Sequence, residues 1–334
     1  MAVLIFEDWD HVRPYAGTSH TTNDLSTLEA GLYQALETHI LPYLGTAAWD
    51  FLLNLHNIPS GDSQAEYALA YARRALVNLA YYEQAKEGGI QVTDTGFGQA
   101  QNPEMRAPFQ WQMRMFMQQK WEAGTNALGA LLGYMEDNKG YFTAWTGSAA
   151  QVEYAAFFIR DLKVYNRYRR IADYGTLLAL RPYMLRIQNA GFADSITEDL
   201  WETIKTEWIG TPTADISKLF PYVQEIIAHR SLYHALYELS FSISAQGFRI
   251  NGTKADAQNS QEEKAALEEI ARAKNYLQAA GDAAMSRLVK YLADNASGSK
   301  YIPFYEGIMQ VRATDGNEIE AAKNALKEGP TFML

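Results

Sequence analysis

Ala72-Arg73-Arg74-Ala75-Leu76 in the first half of the chain is answered by Ala228-His229-Arg230-Ser231-Leu232 in the second, an offset of 156 residues. Tyr81 and Tyr237 share that offset. Gly89-Ile90-Gln91-Val92 is answered by Gly247-Phe248-Arg249-Ile250 at 158, and Tyr134, Asp137 and Asn138 by Tyr291, Asp294 and Asn295 at 157. Ile5-Phe6-Glu7-Asp8 has a weaker echo in Phe158-Ile159-Arg160-Asp161. Each match alone is slight. Their common order and near-constant spacing mark an internal repeat, which settles the architecture before any single residue is interpreted.

The repeated segments are helical in pattern. Leu69, Ala72, Leu76 and Leu79 recur every three or four residues, and Gly88-Gly89 is a stop signal. Ile90-Gln91-Val92 then alternates before Asp94-Thr95-Gly96-Phe97-Gly98, the pattern of a short extended segment and a turn. A longer helix is predicted between Pro108 and Asn138-Lys139-Gly140. Its stripe is Met113, Met117, Trp121, Gly124, Leu128, Leu131 and Met135, and at 1.5 Å per residue the helix would be roughly 45 Å long. Leu267, Ile270, Leu277, Gly281, Ala284, Leu288 and Tyr291 repeat the stripe, interrupted by Lys274. The expected fold is therefore all-α, a duplicated helical unit with long helices and short strand or hairpin segments. Its expected domains are residues 1–150, a diverged second copy over 151–310, and a helical tail over 311–334.

Composition narrows the function classes. Of 334 residues 48% are hydrophobic and 20% charged, which fits a chain with a substantial core. Aromatics reach 13%, with 21 Tyr, an excess that suits either a large core or extensive interfaces. A net charge of −10 argues against coating a nucleic-acid backbone, although a local basic patch remains open. Cys is absent, which excludes disulfides, thiolate zinc sites and cysteine nucleophiles. The opening Met1-Ala2-Val3-Leu4-Ile5-Phe6-Glu7-Asp8 lacks the basic start of a signal peptide, and no apolar run reaches the length of a membrane span. The expectation is a chain that folds in a cytosol, with no membrane partner.

No catalytic, cofactor-binding or metal-binding set is expected. His11, His20, His39, His56, His229 and His234 form no HExxH or other i, i+4 pair, and there is neither a G-x-S-x-G elbow nor a Walker loop. Gly96-Phe97-Gly98 lacks the Lys-Ser/Thr of a nucleotide loop. One cluster interleaves basic and aromatic side chains: Lys163, Tyr165, Arg167, Tyr168, Arg169 and Arg170. That pattern fits a partner protein, phosphates and bases, or a solvated helix end. The last residues, Phe332, Met333 and Leu334, would each gain about 1.5–3 kcal/mol on full burial. Phe332 and Met333 are expected to meet another copy of the chain or another protein.

Ala72-Arg73-Arg74-Ala75-Leu76-Val77-Asn78-Leu79-Ala80-Tyr81-Tyr82, followed by Gly89-Ile90-Gln91-Val92-Thr93-Asp94-Thr95-Gly96, resembles a family of uncharacterised proteins from phages and prophages of gut bacteria. Leu128, Leu131-Leu132, Met135-Glu136 and Tyr165-Asn166 fit the same pattern, so the resemblance covers most of the chain. Each unit also resembles, more loosely, the helical head–tail connector (adaptor) proteins that form a ring under the portal of tailed phages. Their second helix ends near a Leu-Gly, as at Leu44-Gly45. The resemblance implies a connector-like ring protein of a crAss-like phage. Its partners would be copies of itself, the portal and other tail or ring proteins, with DNA passing through the channel without specific binding. Its place would be the virion, made in the host cytoplasm. The duplication departs from the simple connectors, and no functional residue carries over one by one. The alternatives are a nucleic-acid-binding packaging or accessory protein using residues 163–170, and an all-helical enzyme.

Overall fold

The computed structural model describes residues 5–6, 9–16, 25–56, 61–86, 110–192, 195–239, 241–244, 247–250, 262–302 and 304–306. Within these the chain is all-α and built from a duplicated unit, with one small β-hairpin. It divides into two compact units, a first of Met1–Tyr154 with Asp173–Gly175 and a second of Ala155–Ala172 with Thr176–Leu334.

In the first copy α1 (Trp9–Ala16) is followed by α2 (Leu25–Ala35), which runs through a π-helical stretch, Leu36–Ile40, into α3 (Leu41–Leu44). Gly45, at φ 79°, ends that run by adopting the left-handed backbone that an L side chain resists. Next come α4 (Thr46–His56) and the long pair α5 (Ser63–Lys86) and α6 (Gln110–Asp137), which pack side by side. Asp62 starts α5, its Oδ1 accepting from the backbone N–H groups of Gln64 and Ala65 at 3.0 and 3.3 Å. Helix α7 (Ala149–Ala156) ends this half.

The second copy repeats the order: α8 (Leu162–Tyr168), α9 (Tyr174–Ala190), α10 (Glu198–Ile209), then the long pair α11 (Phe220–Glu238) and α12 (Glu262–Asn295). Burial repeats with it. At an offset of 152, Leu28, Leu32, Ala35, Ile40, Leu44, Ala48, Trp49 and Leu52 answer to Leu180, Met184, Ile187, Phe192, Ile196, Leu200, Trp201 and Ile204, all buried. Ala72, Ala75, Leu76 and Leu79 answer at 156 to Ala228, Ser231, Leu232 and Ala235, all buried. At 157, Ala127, Leu128, Leu131, Leu132 and Met135 answer to Ala284, Met285, Leu288, Val289 and Leu292, again all buried. The long helices also end alike. Asn138 Nδ2 donates to the Tyr134 carbonyl and Asn295 Nδ2 to the Tyr291 carbonyl, each at 2.8 Å.

Strands β1 (Phe241–Ser244) and β2 (Gly247–Ile250) pair antiparallel, Phe241 opposite Ile250. Arg170–Ala172 adds alongside: Phe248 N–H donates to the Arg170 carbonyl at 3.2 Å and Ala172 N–H to the Phe248 carbonyl at 2.9 Å. Gly247 is required there, because at φ 118° a Cβ would stand 2.5 Å from the Arg170 carbonyl oxygen. The extended segment expected at 90–97, Pro108 and the tail from 311 onward lie outside the described residues. Among the described residues no helix is long and apolar enough to cross a membrane.

Candidate interaction surface

Residues 163–170 do not form one face. Asp161 caps α8, accepting from Val164 N–H at 2.7 Å, and the short helix then turns Tyr165 into the core of the second copy. The Tyr165 hydroxyl donates to the Ala228 carbonyl at 2.8 Å and lies 3.2 Å from Ser231 Oγ. Burial raises its pKa well above the ordinary phenol. Tyr165 is thus a core residue, removed from the set that can reach a partner. Tyr168 is half-buried, and its hydroxyl lies 3.4 Å from Gln224 Oε1.

Arg169 is held between two rings, its guanidinium 4.8 Å from the Phe248 centroid and 5.1 Å from that of Tyr276. Lys163, Arg167 and Arg170 are exposed. Lys163 and Arg167 stand one turn apart on α8, and Arg170 lies just past its end. The surface left by the cluster is therefore cationic, with its own tyrosines turned inward or bonded.

Exposed tyrosines stand on both long pairs, Tyr67 at 59% on the first and Tyr237 and Tyr276 on the second. Tyr237 is 61% exposed with Lys274 Nζ 3.6 Å above its ring, and its hydroxyl donates to that of Tyr233 at 2.9 Å. Tyr276, 55% exposed, is two residues from Lys274 and so faces about 200° away around α12. The counterpart of Tyr237 in the first copy is shut in: Tyr81 is buried under Lys120 and Phe116, at 4.9 and 6.3 Å. Burial pulls the Lys120 pKa down to about 8.

The first copy also holds a buried ionic network. Glu83, 1% exposed, accepts from Lys86 at 2.9 and 3.0 Å and from Gln34 Nε2 at 3.1 Å, and His39 Nε2 lies at 2.6 Å. Burial pushes the Glu83 pKa up, but the hydrogen bonds from His39 and Lys86 outweigh it and hold the carboxyl below its ordinary value. His39 sits in the π-helical stretch, its ring edge-on to Trp121 at 5.4 Å. Both carboxylate oxygens are engaged, so the arrangement ties α2 and its π-helical extension to α5 rather than presenting a base. Nothing in the sequence announces it: Gln34, His39 and Glu83 meet only through the fold.

The remaining described histidines serve packing. His56 Nδ1 lies 2.8 Å from Arg73 Nη2, and His11 meets His56 edge-on at 6.0 Å. His229 is 4% exposed, and burial lowers its pKa. His234, at the surface, meets the Tyr233 ring at 5.3 Å. Among the described residues no three of His, Cys, Asp or Glu gather as a metal site would need. Gly96-Phe97-Gly98 and Phe332, Met333 and Leu334 lie outside the described residues.

Two comparisons, with curated proteins and with solved structures, yield no match. A family model matches twice, at residues 40–154 and again at 190–306, the two stretches that the burial pattern pairs. The chain belongs to this family, the family of unknown function DUF6712, and carries its unit in duplicate.

Proposed function

We propose that the chain is a structural virion protein, a head–tail connector subunit that assembles as a ring beneath the portal of a tailed phage. The observation that carries this reading is the open face of the second copy. Where the first copy buries Tyr81 under its own lysine and phenylalanine, the second exposes Tyr237, a large amphipathic group of the kind that interfaces use. The sequence resemblance to connector proteins points the same way. The role is mechanical and non-catalytic: rigid paired helices, lateral contacts between copies, and portal and tail proteins as axial neighbours. The net charge of −10 suits a wall past which DNA moves without sticking. Electron imaging of the purified chain tests this. Closed rings with a central opening are expected, and a field of single 37.6 kDa particles would contradict it.

The nucleic-acid reading keeps Lys163, Arg167 and Arg170 as phosphate contacts but loses Tyr165 as a stacking platform. It requires DNA affinity that falls steeply with salt.

A further inference from the structure

One position of the repeat carries a different base in each copy: Arg73 in the first, His229 in the second, 156 residues on. Arg73 is a permanent cation with acceptors to hand. Its Nε donates to the Ile5 carbonyl at 3.2 Å, and its Nη2 lies 2.8 Å from His56 Nδ1. His229 has no such arrangement. It is 4% exposed, its Nδ1 is buried with no hydrogen-bond partner among the described residues, and its Nε2 stands 4.0 Å from the Glu225 carboxylate. That carboxylate already accepts from Arg287 at 2.7 Å.

The surroundings of His229 link it to the hairpin. Helix α12 passes close over it: a Cβ on Gly281 would stand 3.7 Å from His229 Cβ, and the Tyr276 ring meets the imidazole edge-on at 6.4 Å. Tyr276 also carries the Arg169 guanidinium, which is shared with the Phe248 ring of β2. Arg169 Nε is buried without a hydrogen-bond partner among the described residues, so the two rings are what hold this cation. A row of side chains thus runs from His229 through Tyr276 and Arg169 to Phe248. Of the charged groups acting on His229, Glu225 on its own helix is acidic, while Arg169 after α8 and Arg287 on α12 are cations. Burial lowers the His229 pKa below its ordinary 6.5; Glu225 works against that, and Arg169 and Arg287 add to it.

We propose that His229 is an acid-sensitive latch of the second copy: a proton taken up there drives Arg169 off the Phe248 and Tyr276 rings and releases the hairpin from the long pair. The latch is independent of the ring reading. Neutral His229 tolerates its dry site, whereas an imidazolium would be a buried cation beside Arg169 and Arg287 with its carboxylate already engaged. Because the folded pKa is depressed, the closed latch has its full stability above pH 6.5 and loses it as pH falls through the lower folded value. The first copy has no latch at this position, since Arg73 keeps its charge throughout.

The test is residue-resolved amide hydrogen exchange on the full chain, read as protection factors at the two bonds that tie β2 to residues 170–172. These are Phe248 N–H to the Arg170 carbonyl and Ala172 N–H to the Phe248 carbonyl. Between about pH 7.5 and about pH 5.5 both protections should fall about tenfold, the factor for an imidazole that gains its proton on opening. His229→Gln and His229→Met, two neutral replacements checked for helix content by circular dichroism, should abolish the fall. His234 is also held below its ordinary value, by desolvation first, so His234→Gln is the control and should keep the fall. Flat protection at Phe248 and Ala172 in the parent overturns the latch. So does a fall that persists in both His229 variants. A fall confined to core amides of the long pair, such as Leu232 and Leu288, leaves His229 buried but uncoupled from the hairpin and overturns it as well.

Discussion

The two copies solve one packing problem in different ways at the end where the helix preceding the long pair meets it. In the first copy a Cβ on Gly31 would stand 2.9 Å from the Ala80 carbonyl oxygen, so α2 lies close on α5 and the link between them, Gln34–Glu83–His39, is buried. In the second copy the position 152 residues on is Tyr183, whose hydroxyl donates to Glu238 at 3.0 Å beside Arg186 at 3.6 Å. Glu238 is 57% exposed where Glu83 is 1% exposed. The lesson is that the core positions define the unit, while one substitution at a helix crossing decides whether its end is sealed or left at the surface.

The comparison is broken most decisively at its shared core. Trp49→Ala and Trp201→Ala remove equivalent buried rings and are each expected to cost about 3–5 kcal/mol in denaturant unfolding. A silent change at either site would end the claim that the two copies are built alike. Trp49→Phe should be the milder conservative change, since among the described residues Trp49 Nε1 has no hydrogen-bond partner whereas Trp201 Nε1 donates to the Gln188 carbonyl at 3.1 Å.

The ionic links come next. Glu83→Ala leaves the largely buried His39 without its partner, while Lys86, 37% exposed, can turn to water; the change should cost about 1–3 kcal/mol, and Glu238→Ala should stay within about 0.5 kcal/mol. The folded-state pKa of Glu83 lies below its unfolded value near 4.5. Its contribution is therefore present above pH 4.5 and is lost as pH falls through the lower folded value. Acid titration of stability should accordingly be shallower in Glu83→Gln than in the parent chain.

A finer contrast lies at the crossing glycines. A Cβ on Gly124 would meet Leu79 Cγ at 2.7 Å and its backbone N at 3.2 Å, so Gly124→Ala should cost about 1–2 kcal/mol. At Gly281 the nearest group is Arg230 Cγ at 3.2 Å, on a flexible side chain that can move aside. Gly281→Ala should then gain up to about 1 kcal/mol from helix propensity. Thermal melts of the two variants should shift in opposite directions. The smallest effect is at the helix ends: Asn295→Ala loses one hydrogen bond, about 1 kcal/mol, while Asn138→Ala also loses the one its Oδ1 accepts from Gln64 Nε2 at 3.1 Å and should cost about 1–2 kcal/mol.

The long helices and the repeat are legible in the sequence because apolar positions recur there at helical spacing in both copies, and identities such as Leu131 with Leu288 and Gly124 with Gly281 survive. The earlier half of the repeat, Leu28 to Leu52 against Leu180 to Ile204, is not, because it keeps burial and little identity: Gly31 becomes Tyr183 and Leu32 becomes Met184. The basic cluster is visible as composition, but its division is not. Only a helix of seven residues with a fixed phase sends Tyr165 inward while Lys163 and Arg167 stay out. The Glu83 network joins residues 44 and 49 apart through a π-helical stretch, a contact that helical periodicity cannot signal.

Amide hydrogen exchange on the intact chain tests the central claim, one unit built twice with a core in each copy. The slowest amides should fall at equivalent places, residues 68–80 and 127–135 in the first copy and 223–236 and 284–292 in the second. Strong protection in only one long pair, the other exchanging like a loop, would contradict the account.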